Sequence, residues 1–277
     1  MHKLELLLNK YTNNFVLLDQ INNDKKINYL NFNNIVTVTD TNLLKIKAVN
    51  ELLNFLKEDF NTNIIILDSC EPNYEMIEST SKKIFKNNYD LVIALGGGSI
   101  LDIVKSASMY ENSIENVDYF SGSRKKYTKR LIKTLAIPTT SGTGSEYTHT
   151  SVYKTRSNIK NWLWDELTYF DYVIYSPSLT IDLPWNMTVA SGVDAFDHLI
   201  ESLMSLKFNS QNLNLCNQGM ETIWYSLPNL YKNNKSIKDR TNMLLGSGIA
   251  GKAIHFTGCG ICHCIAHTLG SLTKVPH

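Results

Sequence analysis

Two pairs of residues at the spacing of one helical turn mark the chemistry this chain could do. In Ser191-Gly192-Val193-Asp194-Ala195-Phe196-Asp197-His198, Asp194 and His198 stand at i and i+4, the separation that puts two side chains on one helix face. In Gly260-Ile261-Cys262-His263-Cys264-Ile265-Ala266-His267, His263 and His267 repeat that spacing, and His277 closes the sequence. A single histidine on an apolar helix is ordinarily a satisfied core residue. Two separate pairs in apolar helical stretches are harder to explain that way, because burying several imidazoles without a cation or a charge partner is costly. One carboxylate with three imidazoles is a hard-to-borderline donor set that suits Fe2+ or Zn2+. The overlapping Cys259-Gly260-Ile261-Cys262-His263 has the C-x-x-C-H form of covalent haem attachment. That chemistry is expected outside the cytoplasm, no export signal opens the sequence, and the match reads as a coincidence.

A second group of residues suits an anion. Asp90-Leu91-Val92-Ile93-Ala94-Leu95 runs directly into Gly96-Gly97-Gly98-Ser99 and then into a helical stretch carrying Asp102 and Lys105. Glycines let the backbone approach a phosphate, and free N–H groups at a helix start point towards it. The order is not the G-x-G-x-x-G of the common dinucleotide fingerprint, yet three glycines and a serine exceed what a tight turn requires. A further small-residue segment, Pro138-Thr139-Thr140-Ser141-Gly142-Thr143-Gly144-Ser145-Glu146, follows the apolar run Leu135-Ala136-Ile137. Its hydroxyls on Thr139, Thr140, Ser141, Thr143 and Ser145 could hold a pyrophosphate or ribose from the other side.

The elements that must position these groups change character near Leu183–Trp185. Before that point, short β-branched runs alternate with amphipathic stretches. Ile35–Thr39, Ile64–Leu67, Leu91–Leu95, Leu135–Ile137 and Tyr172–Tyr175 read as strands, and Leu43–Leu56, Tyr74–Phe85 and Leu101–Met109 as helices. Near-continuous apolar strands with crossover helices mean a parallel sheet. After it, Ser191–Leu206, Leu213–Leu230 and Arg240–Phe256 read as long helices. The expected organisation is an α/β nucleotide-binding domain over residues 1–184 and an all-helical metal and substrate domain over 185–277.

Bulk properties narrow the partners. The 277 residues are 43% hydrophobic and 19% charged with a formal net charge of +1, so no basic footprint points to nucleic acid or an anionic membrane. No apolar run approaches the roughly 20 residues of a spanning helix. Five cysteines, Cys70, Cys216, Cys259, Cys262 and Cys264, are odd in number and clustered, which argues against a disulfide framework and for a reducing cytoplasm.

From about Asn34 to His277 the sequence resembles the iron-containing alcohol dehydrogenase family. The resemblance rests on Gly96-Gly97-Gly98-Ser99-x-x-Asp102, the Pro138–Glu146 segment, Asp194-Ala195-x-x-His198-x-x-Glu201, Arg240-x-x-Met243 leading to Ala250-Gly251, His263-x-x-x-His267-x-Leu269-Gly270, and Pro276-His277. It implies an N-terminal nucleotide domain and a helical metal domain. Asp194, His198, His263 and His277 match the four metal ligands, and His267 matches a histidine near nicotinamide and substrate with a proton-relay role. Asp40 matches the acidic residue that meets the adenosine ribose, favouring NAD over NADP. Asn73, Lys160, Leu179 and Leu183 fall where the family lines the cofactor cleft. Cys264 replaces a glycine of the family pattern, Ser176 an aspartate, and the first thirty residues do not show the usual opening strand and glycine turn. Family members normally continue through several helices beyond the position of His277, so the helical domain is expected to be incomplete.

The activity implied is reversible hydride transfer between a small alcohol or aldehyde and NAD with Fe2+ or Zn2+, in a homo-oligomer. Glycerol dehydrogenase-like and dehydroquinate synthase-like chemistries are alternatives within the superfamily. A non-catalytic metal- or nucleotide-binding remnant is the alternative of a different class.

Overall fold

The computed structural model describes residues 15–17, 32–68, 71–109, 132–157 and 159–273. It divides into two compact units, one comprising Asn14–Thr139 and His149–Asp182, the other joining Thr140–Thr148 to the chain from Leu183 onward.

The first unit carries, among the described residues, the strands β1 (Phe15–Leu17), β2 (Asn34–Asp40), β3 (Asn61–Leu67), β4 (Leu91–Gly96), β5 (Lys133–Pro138), β6 (Thr150–Lys154), β7 (Lys160–Trp164) and β8 (Tyr172–Tyr175). Six of them form one parallel sheet in the order β1-β8-β5-β4-β2-β3, and β6 and β7 form a separate antiparallel hairpin. β4 is buried along its whole length, as a central parallel strand covered on both faces must be. The crossover helices are α1 (Lys47–Asp59), α2 (Tyr74–Phe85) and α3 (Gly98–Ala107). α1 buries Val49, Leu52, Leu53 and Leu56, the stripe expected of a helix lying on a sheet, and these pack with Ile35, Leu91 and Ile93 in one core.

Three readings of the sequence change here. The single helix expected over Leu43–Leu56 is a 3-10 turn, Leu43–Lys45, followed by α1, because Ile46 is extended at φ −91° and ψ 123°. An opening strand does exist: β1 pairs in parallel with β8 through Phe15–Val173, Val16–Ile174 and Leu17–Tyr175. At three residues on the sheet edge it is too short for periodicity to disclose. The β6–β7 hairpin was not foreseen either.

Chain order around the sheet reverses between β2 and β4: β3 lies outside β2, whereas β5 and β8 continue from β4 in the other direction. In open parallel sheets the crevice at the carboxyl ends of such a strand pair is where ligands bind. Asp40 ends β2 and Gly96 ends β4.

The second unit holds α4 (Trp185–Met204), α5 (Ser210–Lys232), α6 (Ile237–Thr257) and α7 (Ile261–Leu272). α6 is buried on nearly every side, through Met243, Leu244, Leu245, Ile249 and Ala253 among others, so it is the central helix of this unit. Arg240 at its start is almost fully buried. Its guanidinium donates to Thr188 Oγ1 at 3.0 Å, Asn234 Oδ1 at 2.6 Å, and the carbonyls of Asn234 and Leu183 at 3.0 and 3.3 Å. The Thr140–Thr148 segment, read from sequence as part of the nucleotide half, clusters with these helices. A Cβ on Gly142 would lie 2.7 Å from Ser191 Cβ, and one on Gly251 only 2.2 Å from Gly144 O. Gly144 has φ 57°, a left-handed conformation that other residues adopt only at a cost. Close packing therefore explains these two glycines without a phosphate. Among the described residues, no helix is long and apolar enough to cross a membrane.

Candidate functional site

In the helical unit, α4 and α7 bring three of the four expected metal ligands together. Asp194 Oδ1 lies 3.9 Å from His198 Nε2 and 3.3 Å from His263 Nε2. The two imidazole rings stack with centroids 4.3 Å apart and planes at 16°. His198 and His263 are 4% and 5% exposed. Ligand bonds to a divalent ion are roughly 2.0–2.2 Å for imidazole nitrogen and carboxylate oxygen, so donors 3 to 4 Å apart are spaced to share one.

Glu201, one turn beyond His198 on α4, fixes this arrangement. Its Oε2 accepts from Gly260 N–H at 2.6 Å and lies 2.7 Å from His263 Nδ1, while its Oε1 accepts from the N–H groups of Cys262 and His263 at 2.7 and 3.3 Å. Gly260 begins α7 with no side-chain cap of its own. The carboxylate of Glu201 thus caps a helix from outside it, satisfying N–H groups a helix start leaves open and meeting the positive end of its dipole. With Nδ1–H donated to Glu201, Nε2 is the nitrogen turned towards Asp194. A carboxylate behind a histidine is the usual way a ligand's tautomer and direction are set.

The electrostatics welcome positive charge. Burial would pull the His263 imidazolium down, but Asp194 and Glu201 outweigh it and raise its pKa. Burial would raise the Glu201 carboxyl, but the N–H of Gly260 and the His263 ring outweigh that and lower it. Burial and the neighbouring Glu201 charge raise Asp197, whose Oδ2 lies 3.3 Å from His263 Nδ1. Carboxylates that favour positive charge on a buried imidazole favour a divalent cation in the same place, so the residues fit such an ion. A pocket of about 470 Å³, bordered by Val189, Val193, Asp194, Asp197, His263 and Ala266, opens beside these donors. Its volume is that of a small-molecule site.

His267 is half-buried one turn beyond His263 on α7. His277 lies outside the described residues. Sequence reasoning quoted Glu201 without giving it a role; its position at i+3 from His198 was the available signal. Replacing Glu201 by Ala is expected to weaken binding of Zn2+ or Fe2+ by about 10–100-fold, read by titration against a chromophoric chelator. Unchanged affinity would show that His263 does not depend on it.

In the α/β unit, the sheet places half-buried Gly97 and Gly98 and exposed Ser99 just after β4, with Gly97 capping α3. A Cβ on Gly96 would lie 2.6 Å from Ile100 Cβ, so the first glycine of the turn serves the close approach of strand and helix. Thr139 is buried after β5, and its N–H donates to Gly96 O at 3.0 Å. Asp40 Oδ1 accepts from the N–H groups of Asn42 and Leu43 at 2.8 and 3.2 Å. Other candidates have structural partners: Asn73 caps α2 through Met76 N–H at 2.9 Å, Asp102 accepts from Val152 N–H at 2.9 Å, and Lys160 pairs with Glu71 at 2.7 Å. Leu179 lies in the hydrophobic core. In the helical unit, Ser141 and Ser145 are buried, Thr140 and Thr143 are half-buried, and Leu183 is half-buried with its carbonyl held by Arg240.

The profile described as iron-containing alcohol dehydrogenase matches residues 20–177, and that of the Fe-containing alcohol dehydrogenase family, C-terminal, matches 188–277. Long-chain-alcohol dehydrogenase 1 of Geobacillus thermodenitrificans is 31% identical over 91% of this chain and 64% of its own length. Sulfoacetaldehyde reductase of Bilophila wadsworthia is 34% identical over 75% of this chain and 54% of its own. For alcohol dehydrogenase 4 of Saccharomyces cerevisiae the figures are 32%, 87% and 63%. The chain therefore spans less than two thirds of the length of these relatives. Among solved structures, an alcohol dehydrogenase from Oenococcus oeni superposes with a TM-score of 0.86 at 26% identity, covering 95% of this chain and 70% of that one. Sulfoacetaldehyde reductase from Bifidobacterium kashiwanohense, solved with NAD+, shares the fold with a TM-score of 0.86 at 22% identity, covering 95% and 71%. Matched by both family profiles along most of its length, this chain belongs to the iron-containing alcohol dehydrogenase family.

Proposed function

We propose that this chain acts in a metal-dependent, NAD-linked alcohol dehydrogenase or aldehyde reductase. The observation that carries the reading is the convergence of Asp194 Oδ1 with Nε2 of His198 and His263, backed by Glu201. Asp194, His198 and His263 would hold Fe2+ or Zn2+, with His277 the matching fourth donor. When bound, the ion supplies Lewis-acid polarisation of a carbon–oxygen bond, and the nicotinamide supplies the hydride chemistry. The pocket beside Val189, Val193 and Ala266 orients a small alcohol or aldehyde against these donors. His267 is assigned the relay of the alcohol proton. Gly97–Ser99 and Asp40, at the carboxyl ends of adjacent strands where chain order reverses, bind the pyrophosphate and ribose of NAD. Cys259, Cys262 and Cys264 are free and exposed, which suits a reducing cytoplasm.

The test is oxidation of NADH by a panel of short aldehydes, before and after chelation and after readdition of Fe2+ or Zn2+. Turnover that chelation abolishes and the ion restores supports the reading. Metal and NAD binding without turnover of any aldehyde would favour the non-catalytic alternative.

Cofactor choice gives a narrower expectation. NAD should be preferred over NADP, since the Asp40 carboxylate accepts from a ribose hydroxyl and repels a 2′-phosphate. Asp40→Gly should narrow the ratio of kcat/KM values for the two cofactors. It should also lower stability by about 1 kcal/mol, because the side chain caps the turn at Asn42 and Leu43. Equal use of both cofactors by the unaltered chain would remove the role given to Asp40.

A further inference from the structure

We propose that Cys259 supplies a thiolate ligand to the ion held by Asp194, His198 and His263. The inference rests on reading those three residues as ligands, and adds a donor that the four-residue set does not contain. Donor atoms of His198, Cys259 and His263 all lie within 4.8 Å of one another. Bonds of about 2.3 Å to sulfur and 2.0–2.1 Å to nitrogen at a near-tetrahedral angle set two donors of one ion roughly 3.6 Å apart, so side-chain rotation of up to about an ångström brings the thiol into the set.

The backbone holds the thiol in place from both sides. Gly258 closes α6 with φ 75°, its N–H donating to Ile254 O at 2.7 Å. A Cβ there would meet nothing within 4 Å, so this glycine serves the backbone that ends α6 at φ 75° and ψ 173°, a region essentially reserved for glycine. On the other side Gly260 N–H is held by Glu201 at 2.6 Å. The group that directs His263 therefore also fixes the residue next to Cys259. The nearby Cys262, whose backbone N–H donates to Glu201 Oε1 at 2.7 Å, is not part of the donor cluster with His198.

Chemically, one carboxylate and one thiolate balance the charge of a divalent ion, the thiol proton going to solvent as the sulfur binds. A soft sulfur added to these donors moves the set towards the zinc side of the Fe2+/Zn2+ pair.

Cobalt titration of the chelator-treated full chain tests this, because Co2+ bound by a thiolate shows a near-ultraviolet sulfur-to-metal charge-transfer band besides its visible absorption. The band is expected in the unaltered chain and in Cys262→Ser. It is expected to vanish in Cys259→Ser, which keeps the visible absorption, whereas His198→Ala loses both. Visible absorption without the near-ultraviolet band in the unaltered chain, or a band that survives Cys259→Ser, overturns the thiolate while leaving the other ligands standing. No cobalt absorption of either kind, or none sensitive to His198→Ala, overturns the ligand reading itself and the thiolate with it.

Discussion

The His198→Ala protein is expected to lose its divalent ion, with affinity falling on the order of 100-fold or more. Even the loss of an outer partner of a ligand costs about 10–100-fold, and His198 contributes a donor atom directly opposite Asp194 Oδ1. The side chain is also one half of a stacked pair of buried imidazoles, so its removal leaves His263 without the ring that packs against it. The fold of the helical unit should survive, since α4 still buries Thr188, Ala195, Leu199 and Ser202. Metal analysis after gel filtration, with circular dichroism as a check on helix content, gives the answer. Full retention of metal by a folded His198→Ala protein would remove this residue from the site.

Gly251→Ala is expected to destabilise the helical unit by about 3 kcal/mol or more, which for a unit of about 100 residues lowers the thermal midpoint by roughly 12–24 °C. The added Cβ would stand 2.2 Å from Gly144 O and 2.7 Å from Gly144 Cα. Both are backbone atoms, so no side-chain rotation relieves the clash. Gly144 cannot readily retreat, because its φ of 57° belongs to the turn entering Ser145–Tyr147. Gly258→Ala makes a useful contrast: its Cβ would meet no neighbour, leaving only the backbone strain of φ 75° with ψ 173°, about 1–3 kcal/mol. Thermal melts followed by circular dichroism should rank Gly251→Ala well below Gly258→Ala. The reverse order would mean that the contact between Gly251 and Gly144 is not close.

These glycines show where the sequence was ambiguous. A run such as Thr139–Glu146 serves equally as a phosphate cradle or as backbone that must pass close to a helix. Only the distances to Ser191 and Gly251 show that packing accounts for Gly142 and Gly144. The i, i+4 pairs were legible because the periodicity of one helix fixes them; Asp194 and His198 share a face of α4 whatever that helix packs against. Glu201 and His263 are 62 residues apart, and their contact depends on how α7 returns to α4, which no local pattern records. Cys259 was read as part of a haem-like motif because spacing alone does not say which residues its thiol faces. α2 was legible to its bounds because Asn73, Glu75 and the lysines at its end supply cap and charge signals at both termini. The strand β1 carries no such punctuation, and the β6–β7 hairpin alternates burial too briefly to stand out from loop.

The central claim, that this chain moves hydride between a small alcohol and NAD, is tested most directly by an isotope. Metal-loaded protein is incubated with NAD and a primary alcohol carrying deuterium on its hydroxyl-bearing carbon, and the nicotinamide is analysed for label at its C4 position. The expected result is deuterium transferred to C4 without exchange with solvent, abolished by chelation and by His198→Ala. Reduced nicotinamide lacking deuterium, or label transfer indifferent to the metal, would contradict it.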